Sequence, residues 1–219
     1  MTLQVFGHPF SSFFQKVAVA LYEKSVPFEL RMLDPHHPDN AAEFAKLSPL
    51  GKFPLLVDGG LTIAETSIII EHIDRRWPGE TRLIPNDPDL AMEVRYLDRF
   101  FDLYLNMQMQ RVVGNALRKP GERDPLGVVE ARSVLVRAYR WLDQRLGGRA
   151  WAAGDDFSLA DCAAAPALFY ADWVEPIDPL LSTLKAYRTR LNERPSMARA
   201  IDEGRPYRPL FPLGAPDRD

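Results

Sequence analysis

The sequence predicts a mixed α/β domain over residues 1–77 and an all-helical domain over residues 89–219, with a linker at 78–88 between them. Strand-like and helical segments alternate in the first region, which also contains a strong hairpin signal, Asp-Gly-Gly, at residues 58–60. In the second region the apolar residues recur at helical spacing, and no strand pattern follows. The linker contains several prolines, which are typical of a boundary between two compact units.

Bulk composition excludes several functional classes. At 219 residues and 46% hydrophobic, the chain can bury a substantial core. The formal net charge of −3 argues against an electrostatic nucleic-acid binder, and no apolar run approaches the roughly 20 residues that span a bilayer. We expect no secretory signal, because the first residues lack a basic region and a long apolar segment. The single cysteine, Cys162, excludes an internal disulfide, so we expect a cytoplasmic location.

Short strands and helices alternate along the first domain. Strands are predicted at residues 3–6, 28–32, 55–57 and 61–63, and helices from Ser11 or Ser12, over 41–47 and from Thr66. This order predicts a four-stranded mixed sheet whose first two strands are parallel and joined by a right-handed crossover. We expect the last of these helices to be capped by the side chains at residues 65–67.

Apolar stripes define the helices of the second domain. Residues 90–107 carry two stripes on one helix, so we expect that helix to be buried on two sides. Further helices are predicted at 131–142, from a capping box at Ser158 and Asp161, at 184–191 and at 195–201. The proline-rich tail, residues 204–219, lacks periodicity and is expected to lie extended.

Three polar features are predicted to lie together around the hairpin. They are the backbone of Phe53, the side chain of Lys52, and the N-terminus of the helix at Thr66. A helix N-terminus attracts carboxylates because its first N–H groups are unpaired and its dipole is positive there. The same sequence is equally compatible with an ordinary hairpin followed by a capped helix.

A second candidate site lies in the turn after the first strand. Residues 7–12 read Gly-His-Pro-Phe-Ser-Ser, and the two serines lie where a helix begins. A hydroxyl donor assisted by a helix N-terminus can stabilise an anion such as a thiolate. The alternative is that the serine serves only as a helix cap.

Residues 49–67, with their proline-containing turn, β-hairpin and Glu-Thr pair, resemble the glutathione-binding half of the glutathione S-transferase family. The element order of residues 1–77 is likewise the thioredoxin-like order. The helical second half, with its Asp-containing cap at 158–161, is similar to the family's second domain, so the resemblance covers nearly the whole chain. It implies that glutathione is the co-substrate, with no metal.

The Gly-His-Pro turn is similar to that of the serine-type members, especially the phi group. This similarity implies that Ser11 donates a hydrogen bond to the glutathione sulfur. Ser12 is the alternative, because a one-residue shift of the turn would exchange the two serines. The cysteine-type and tyrosine-type mechanisms are disfavoured, because no cysteine lies in this turn and the first tyrosine, Tyr22, lies inside the helix.

The resemblance also implies two sets of binding residues. Glutathione would be held by Lys52, Phe53, Pro54 after a cis peptide bond, Glu65, Thr66 and His37, with His36 as the alternative histidine. The second substrate would lie between the domains, against Phe10, Phe13, Tyr104, Met107 and Trp173. Large apolar side chains at helical spacing are also what an ordinary core requires. Adjacent histidines without a further ligand are a poor metal site.

The activity implied by the resemblance is conjugation of the glutathione thiolate to a small hydrophobic electrophile, a detoxification reaction, by a homodimer. One alternative is another glutathione-dependent enzyme on the same scaffold, such as a disulfide or peroxide reductase, an isomerase or a dehalogenase. The other is a non-catalytic binding protein that keeps the fold. Neither a nucleic-acid partner nor a membrane is expected.

Overall fold

The computed structural model describes residues 2–219, and its first part is a four-stranded sheet flanked by helices. The strands are β1 (Leu3–Gly7), β2 (Phe28–Met32), β3 (Leu55–Asp58) and β4 (Leu61–Ile63). The helices of this part are α1 (Ser12–Glu23), α2 (Pro38–Leu47) and α3 (Thr66–Arg76). The predicted element order and the mixed sheet are confirmed.

The register of the sheet decides which loops lie together. The strand order is β2-β1-β3-β4, with β1 parallel to β2 and β3 antiparallel to both β1 and β4. Phe6 pairs with Leu55, so the end of β1 lies beside the start of β3. Leu56 pairs with Ile63, so the end of β4 returns to the same edge. The turn after β1, the turn before β3 and the start of α3 therefore share one edge of the sheet.

Two glycines have specific local roles in this part of the chain. A Cβ atom added at Gly7 would lie 2.4 Å from Cδ2 of Phe14, so only glycine lets α1 pack this closely against the end of β1. Gly59 has a φ of +62° in the hairpin between β3 and β4, a conformation that glycine adopts without a steric penalty.

The second part of the chain is helical. Its helices are α4 (Pro88–Phe100), α5 (Met107–Ala116), α6 (Pro125–Arg145), α7 (Leu159–Val174), α8 (Ser182–Glu193) and α9 (Pro195–Gly204). Every residue of α7 is buried, and this helix packs against α1 and α4. The capping box predicted at its start is present, formed by Ser158 and Asp161.

The stretch predicted as one helix over residues 90–107 contains a π-helical turn, Phe101–Asn106, between α4 and α5. Its geometry is shown by the backbone N–H of Met107, which donates to the carbonyl of Asp102, five residues earlier. The apolar periodicity did not indicate this interruption.

The tail differs from its prediction as an extended segment. A 3₁₀ helix, Arg205–Leu210, follows α9, and Phe211 after it is buried. The carboxylate of Asp219 forms ion pairs with Arg205 and Arg208, and Arg218 forms one with Asp172 of α7. Charge pairing therefore holds a sequence without apolar periodicity against the helical domain.

One apolar core extends from the sheet into the helical domain. Val5 and Leu56, on one face of the sheet, belong to the same buried cluster as α7. Phe6 and Leu55 point to the other face and pack with Phe44 of α2. Within residues 2–219, no helix combines the length and the apolar character that a membrane crossing requires.

Candidate functional site

The turn between β1 and α1 presents Ser11 at the N-terminus of a helix. The backbone N–H of Ser11 donates to the carbonyl of His8 at 2.9 Å and closes the turn. As the N-cap of α1, the Ser11 Oγ accepts a hydrogen bond from the N–H of Phe14 at 3.3 Å. This bond uses a lone pair and leaves the hydroxyl proton available for donation. The Ser11 residue is half-buried, so the geometry provides a hydroxyl donor at a helix N-terminus.

Ser12 points into the protein interior and is only 2% exposed. Its Oγ donates to Oδ1 of Asn106 at 2.8 Å and accepts a hydrogen bond from Nε2 of Gln110 at 3.2 Å. Both hydrogen-bonding functions of the hydroxyl are therefore engaged by the helical domain. This geometry separates the two serines and disfavours Ser12 as a donor to a ligand.

The turn before β3 contains the cis peptide bond that the resemblance implies, between Phe53 and Pro54. The pairing of Phe6 with Leu55 places this bond beside the end of β1. Phe53 is 37% exposed, and the side chain of Lys52 extends from the same turn into solvent. The turn is held by the hydroxyl of Ser48, which donates to the carbonyl of Lys52 at 3.2 Å.

The start of α3 has an unusual backbone. Glu65 is the N-cap residue with φ +67° and ψ 119°, a conformation that residues other than glycine rarely adopt. Contrary to the predicted cap, its side chain makes no capping hydrogen bond to the described chain. Thr66, the first residue of α3, is buried with its hydroxyl at the helix N-terminus. The uncapped amide donors at this helix N-terminus can donate hydrogen bonds to a ligand carboxylate.

His8 forms part of the same turn as Ser11. Its Nδ1 accepts a hydrogen bond from the N–H of Phe10 at 3.1 Å, so this nitrogen carries no proton. Burial lowers the pKa of His8, and the charge of Asp34 acts in the opposite direction. The imidazole also packs edge-on against Tyr207, with 4.5 Å between ring centroids. The turn therefore holds a neutral histidine and contacts the tail.

His37 lies in the loop after β2, and its side chain is exposed. Its Nδ1 is 2.7 Å from Oδ1 of Asp34, and this hydrogen bond lowers the pKa of the Asp34 carboxyl. The loop meets the edge that carries Ser11, because the N–H of Leu33 donates to the carbonyl of Gly7 at 2.9 Å. Across residues 2–219, no cluster of three or more His, Cys, Asp or Glu side chains is arranged to hold a metal ion.

The structure brings together two of the residues predicted to contact a second substrate. Phe10 packs edge-on against Tyr170 at 5.5 Å and lies 6.3 Å from Trp173, measured between ring centroids. Phe211 of the tail stacks edge-on against Trp173 at 5.2 Å, and the Arg208 guanidinium lies 5.3 Å from the Trp173 ring centre. The tail therefore covers an aromatic cluster that adjoins the Ser11 turn.

The other three predicted substrate residues do not belong to this aromatic cluster. Tyr104, in the π turn, packs on Phe100 at 5.1 Å between ring centroids and is 48% exposed. Met107 is exposed at the start of α5, and Phe13 is half-buried on the first turn of α1. None of the three has an aromatic contact with the Phe10 cluster among the described residues.

Sequence reasoning missed two buried polar residues of α1. Nε2 of Gln15 donates to the carbonyl of Pro9 at 2.9 Å and to the Tyr170 hydroxyl at 3.0 Å, which ties the turn to α7. Lys16 is fully buried. The sequence does contain a sign of these residues, because the polar pair Gln15-Lys16 interrupts the otherwise apolar run of this helix.

Comparison with known proteins agrees with this architecture. Residues 1–75 match the family described as "Glutathione S-transferase, N-terminal domain", and residues 115–207 match "Glutathione S-transferase, C-terminal domain". Glutathione S-transferase U24 of Arabidopsis thaliana is 26% identical over 202 residues, which cover 88% of this chain and 86% of the relative. A "Stringent starvation protein A homolog" of Coxiella burnetii is 27% identical over 167 residues, covering 76% of this chain and 75% of the relative.

Solved structures have the same fold. A glutathione S-transferase from Methylobacterium radiotolerans in complex with glutathione sulfonate superposes with a TM-score of 0.79 at 26% identity, covering 92% of this chain and 95% of the other. The glutathione transferase URE2P8 from Phanerochaete chrysosporium, solved with oxidized glutathione, gives a TM-score of 0.82 at 21% identity, covering 94% and 96%. With both halves matched and a thioredoxin-like sheet followed by a helical domain, the chain belongs to the glutathione S-transferase family.

Proposed function

We propose that this chain is a glutathione S-transferase that joins the glutathione thiolate to a small hydrophobic electrophile. The observation that carries the proposal is the Ser11 hydroxyl, which caps α1 at the sheet edge shared by the Phe53–Pro54 turn and the start of α3. These three features form a surface with two helix N-termini, each carrying a hydroxyl side chain, for an anionic tripeptide.

The chemical requirement is a thiolate at neutral pH. A cysteine thiol has an ordinary pKa of about 8.5, so only a few per cent of free glutathione is nucleophilic at pH 7. Each unit by which a site lowers the pKa corresponds to about 1.4 kcal/mol of preference for the anion. A hydrogen bond from Ser11, aided by the N-terminus of α1, supplies a stabilisation of this size. The thiolate then attacks the electrophile, and the leaving group departs with its electron pair.

The other residues at this edge of the sheet would bind the tripeptide. In this proposal Thr66 and the first amides of α3 hold the γ-glutamyl carboxylate, with Glu65 beside them. The backbone of Phe53 before Pro54 pairs with the cysteinyl part. Lys52 faces the glycyl carboxylate. His37, in the neighbouring loop, adds a contact at the rim, and its exposed ring is compatible with that role.

The electrophile would bind against Phe10, the half-buried member of the aromatic cluster that adjoins the Ser11 turn, with Trp173 packed behind it. Phe13, Tyr104 and Met107 are partly exposed and would line a wider opening between the domains. An aromatic wall beside a thiolate suits a flat, apolar electrophile.

The chain is also proposed to form a homodimer in the cytoplasm. Apolar side chains remain exposed on α4 and on α3, among them Met92 at 69%, Ile68 at 54% and Tyr96 at 50%. Sedimentation should give twice the mass of the 24.9 kDa chain. A monomer at micromolar concentration would contradict this part of the proposal.

A second candidate is a protein of this fold that binds glutathione or a partner without catalysis. It is favoured by the similarity to a relative named for stringent starvation rather than for a transfer reaction. A third outcome, reduction or isomerisation with glutathione, uses the same thiolate.

Product analysis separates these candidates. The protein is incubated with glutathione and a chlorodinitrobenzene, and the products are resolved by mass spectrometry. A stable thioether formed faster than in the absence of protein supports transfer. Parallel incubations supply glutathione with a cis-trans isomerisable unsaturated acid, or with an organic peroxide or disulfide as the oxidant. Glutathione recovered unchanged with a rearranged acid supports an isomerase, and oxidised glutathione formed as the peroxide or disulfide is reduced supports a reductase. Measurable glutathione binding without turnover of any substrate supports the non-catalytic candidate.

A further inference from the structure

Four polar side chains repeat at intervals of four residues along the helical run that contains the π turn. Asp98 belongs to α4, Asp102 and Asn106 belong to the π turn, and Gln110 belongs to α5. The first three are buried, at 1%, 3% and 1% exposure, and the fourth is half-buried. We call this row the polar seam. All four side chains contact Ser12 or Lys16, which lie in the first two turns of α1.

The π turn explains how these residues stay on one line. In a regular α-helix a step of four residues overshoots a full turn by about 40°, so three steps would carry Gln110 about 120° from Asp98. A π turn has more residues per turn and removes part of this drift. The bond from the N–H of Met107 to the carbonyl of Asp102 lies inside the seam. The interruption therefore keeps the polar side chains directed at α1.

Two residues of α1, also four apart, meet the seam. Ser12 donates to Asn106 at 2.8 Å and accepts from Gln110 at 3.2 Å. Nζ of Lys16 lies 2.8 Å from Oδ2 of Asp102 and 2.5 Å from Oδ1 of Asp98. Residues four apart on a helix share a face, so the seam grips one face of the first two turns of α1.

The start of α3 joins the same network through Ser67. The hydroxyl of Ser67 donates to Oδ2 of Asp98 at 2.6 Å and accepts a hydrogen bond from Nζ of Lys16 at 3.2 Å. Arg99 donates to the same hydroxyl at 3.2 Å and pairs with Asp102 at 3.2 Å. Two cations thus balance two carboxylates. Burial raises the pKa of the Asp102 carboxyl, and Lys16 opposes that rise.

A stability role alone does not account for this network. Burying a lysine between two aspartates costs desolvation that the ion pairs barely recover, whereas apolar side chains of similar size would pack without that cost. What the network does fix is geometry: it ties the turn next to Ser11 and the turn next to Thr66 to one helical run of the second domain.

We propose that the polar seam, together with Lys16 of α1, is a positioning device that sets the distance between Ser11 and Thr66 for a bound glutathione. This inference rests on the proposed glutathione site. Lys16, Asp102 and Asn106 are positioning residues, which act through the two helix starts rather than by touching the ligand. Ser12 belongs to the same device.

The chain offers a matched control for Lys16. The side chain of Lys24, at the other end of α1, is also buried, and its Nζ lies 3.0 Å from Oδ1 of Asp74 near the end of α3. Lys16→Met and Lys24→Met each remove a buried ammonium group that links α1 to carboxylates of another element, Asp98 and Asp102 for Lys16 and Asp74 of α3 for Lys24. Only Lys16→Met removes it next to the helix starts that carry Ser11 and Thr66.

The experiment measures glutathione affinity by calorimetry and the pKa of the bound thiol by ultraviolet absorbance, in the wild type and both variants, with thermal unfolding alongside. We expect both variants to lose stability, but only Lys16→Met to weaken glutathione binding by about tenfold or more and to raise the thiol pKa. Lys16→Arg should restore both values. Equal affinity and equal thiol pKa in the two methionine variants would overturn the proposal.

Two further outcomes are informative. If Lys16→Met does not fold, Asn106→Ala carries the test, because it removes only the neutral bond to Ser12. It should weaken binding severalfold, and wild-type values in this variant would overturn the proposal. If the wild type itself does not bind glutathione, the proposed function fails together with this inference. If the wild type binds glutathione but Lys16→Met does not change that binding, only the positioning inference fails.

Discussion

The Oγ atom of Ser11 lies 3.3 Å from the backbone nitrogen of Phe14 and accepts its hydrogen bond, so this serine caps α1 while its own proton remains available. Ser11→Ala removes both functions. We expect turnover with a standard electrophile to fall about 100-fold, because a preorganised donor to the developing anion is lost. Glutathione affinity should change little, since the tripeptide ends are held elsewhere. Steady-state kinetics and calorimetry on the variant check both values.

Ser11→Gly is the control that separates the cap from the catalytic donor. Glycine is nearly as good as serine at an N-cap and costs only a few tenths of a kcal/mol, whereas alanine costs about 1 kcal/mol. A catalytic hydroxyl predicts the same loss of turnover in both variants. Turnover retained in Ser11→Gly would show that Ser11 is only a cap.

The hydroxyl of Thr66 is expected to bind the γ-glutamyl carboxylate at the start of α3. Thr66→Ala should raise the dissociation constant of glutathione about tenfold, because a hydrogen bond to a charged group contributes roughly 1.5 kcal/mol or more. Thr66→Ser keeps the hydroxyl and should remain close to the wild type. Calorimetric titration of the three proteins tests this, and equal affinities for Thr66→Ala and wild type would remove Thr66 from the site.

His8 should make folding stability depend on pH near neutrality. Burial lowers its pKa in the folded protein, so the unfolded chain binds the proton more readily. The contribution of neutral His8 is therefore complete above the ordinary pKa of about 6.5 and is lost as pH falls through the lower folded value. Urea unfolding at several pH values should show a smaller decline for His8→Asn than for wild type. Identical declines would contradict this assignment.

We expect Asp161 to contribute more to the free energy of unfolding than an exposed helix cap does. Its buried carboxylate accepts hydrogen bonds from the N–H of Ala152 at 2.8 Å, the N–H of Ser158 at 2.9 Å and the hydroxyl of Tyr187 at 2.6 Å. Asp161→Ala leaves these buried donors unpaired and should cost about 3 kcal/mol or more.

Asp87→Ala is the matched control for Asp161. Asp87 caps α4 by accepting from the N–H of Leu90 at 2.8 Å, but it is exposed, so its loss should cost only about 1 kcal/mol. Chemical denaturation of both variants gives the comparison. Similar losses of unfolding free energy would show that Asp161 acts as a cap alone.

Local patterns were sufficient to predict much of the fold. The bounds of β2 and β4 and the start of α3 at Thr66 agree with the prediction, because alternation and two-glycine turns are local signals. The π turn at Phe101–Asn106 and the folded tail were not predicted. Both depend on partners distant in sequence, such as Lys16 for the π turn and Asp172 for the tail, which apolar periodicity does not report.

The residues of the candidate site were likewise only partly predictable from the local sequence. Spacing indicated a serine at a helix start but left Ser11 and Ser12 as alternatives. Only tertiary contact separates them, since Asn106 and Gln110 engage the Ser12 hydroxyl. Likewise Phe10 and Trp173 were grouped by size and predicted location, and the structure joins these two while placing Tyr104 against Phe100. Composition alone could not distinguish a residue that faces the turn from one that faces another helix.

The proposed transfer reaction depends on Ser11 stabilising a thiolate, so the pKa of the thiol of glutathione bound to the protein tests it. Thiolate absorbance is titrated against pH in the wild type and in Ser11→Gly, with each protein saturated with glutathione. We predict a wild-type value clearly below the ordinary value of about 8.5 and a variant value about one unit or more higher than the wild type. An ordinary thiol pKa in the wild type, or the same pKa in both proteins, would show that Ser11 does not stabilise a thiolate.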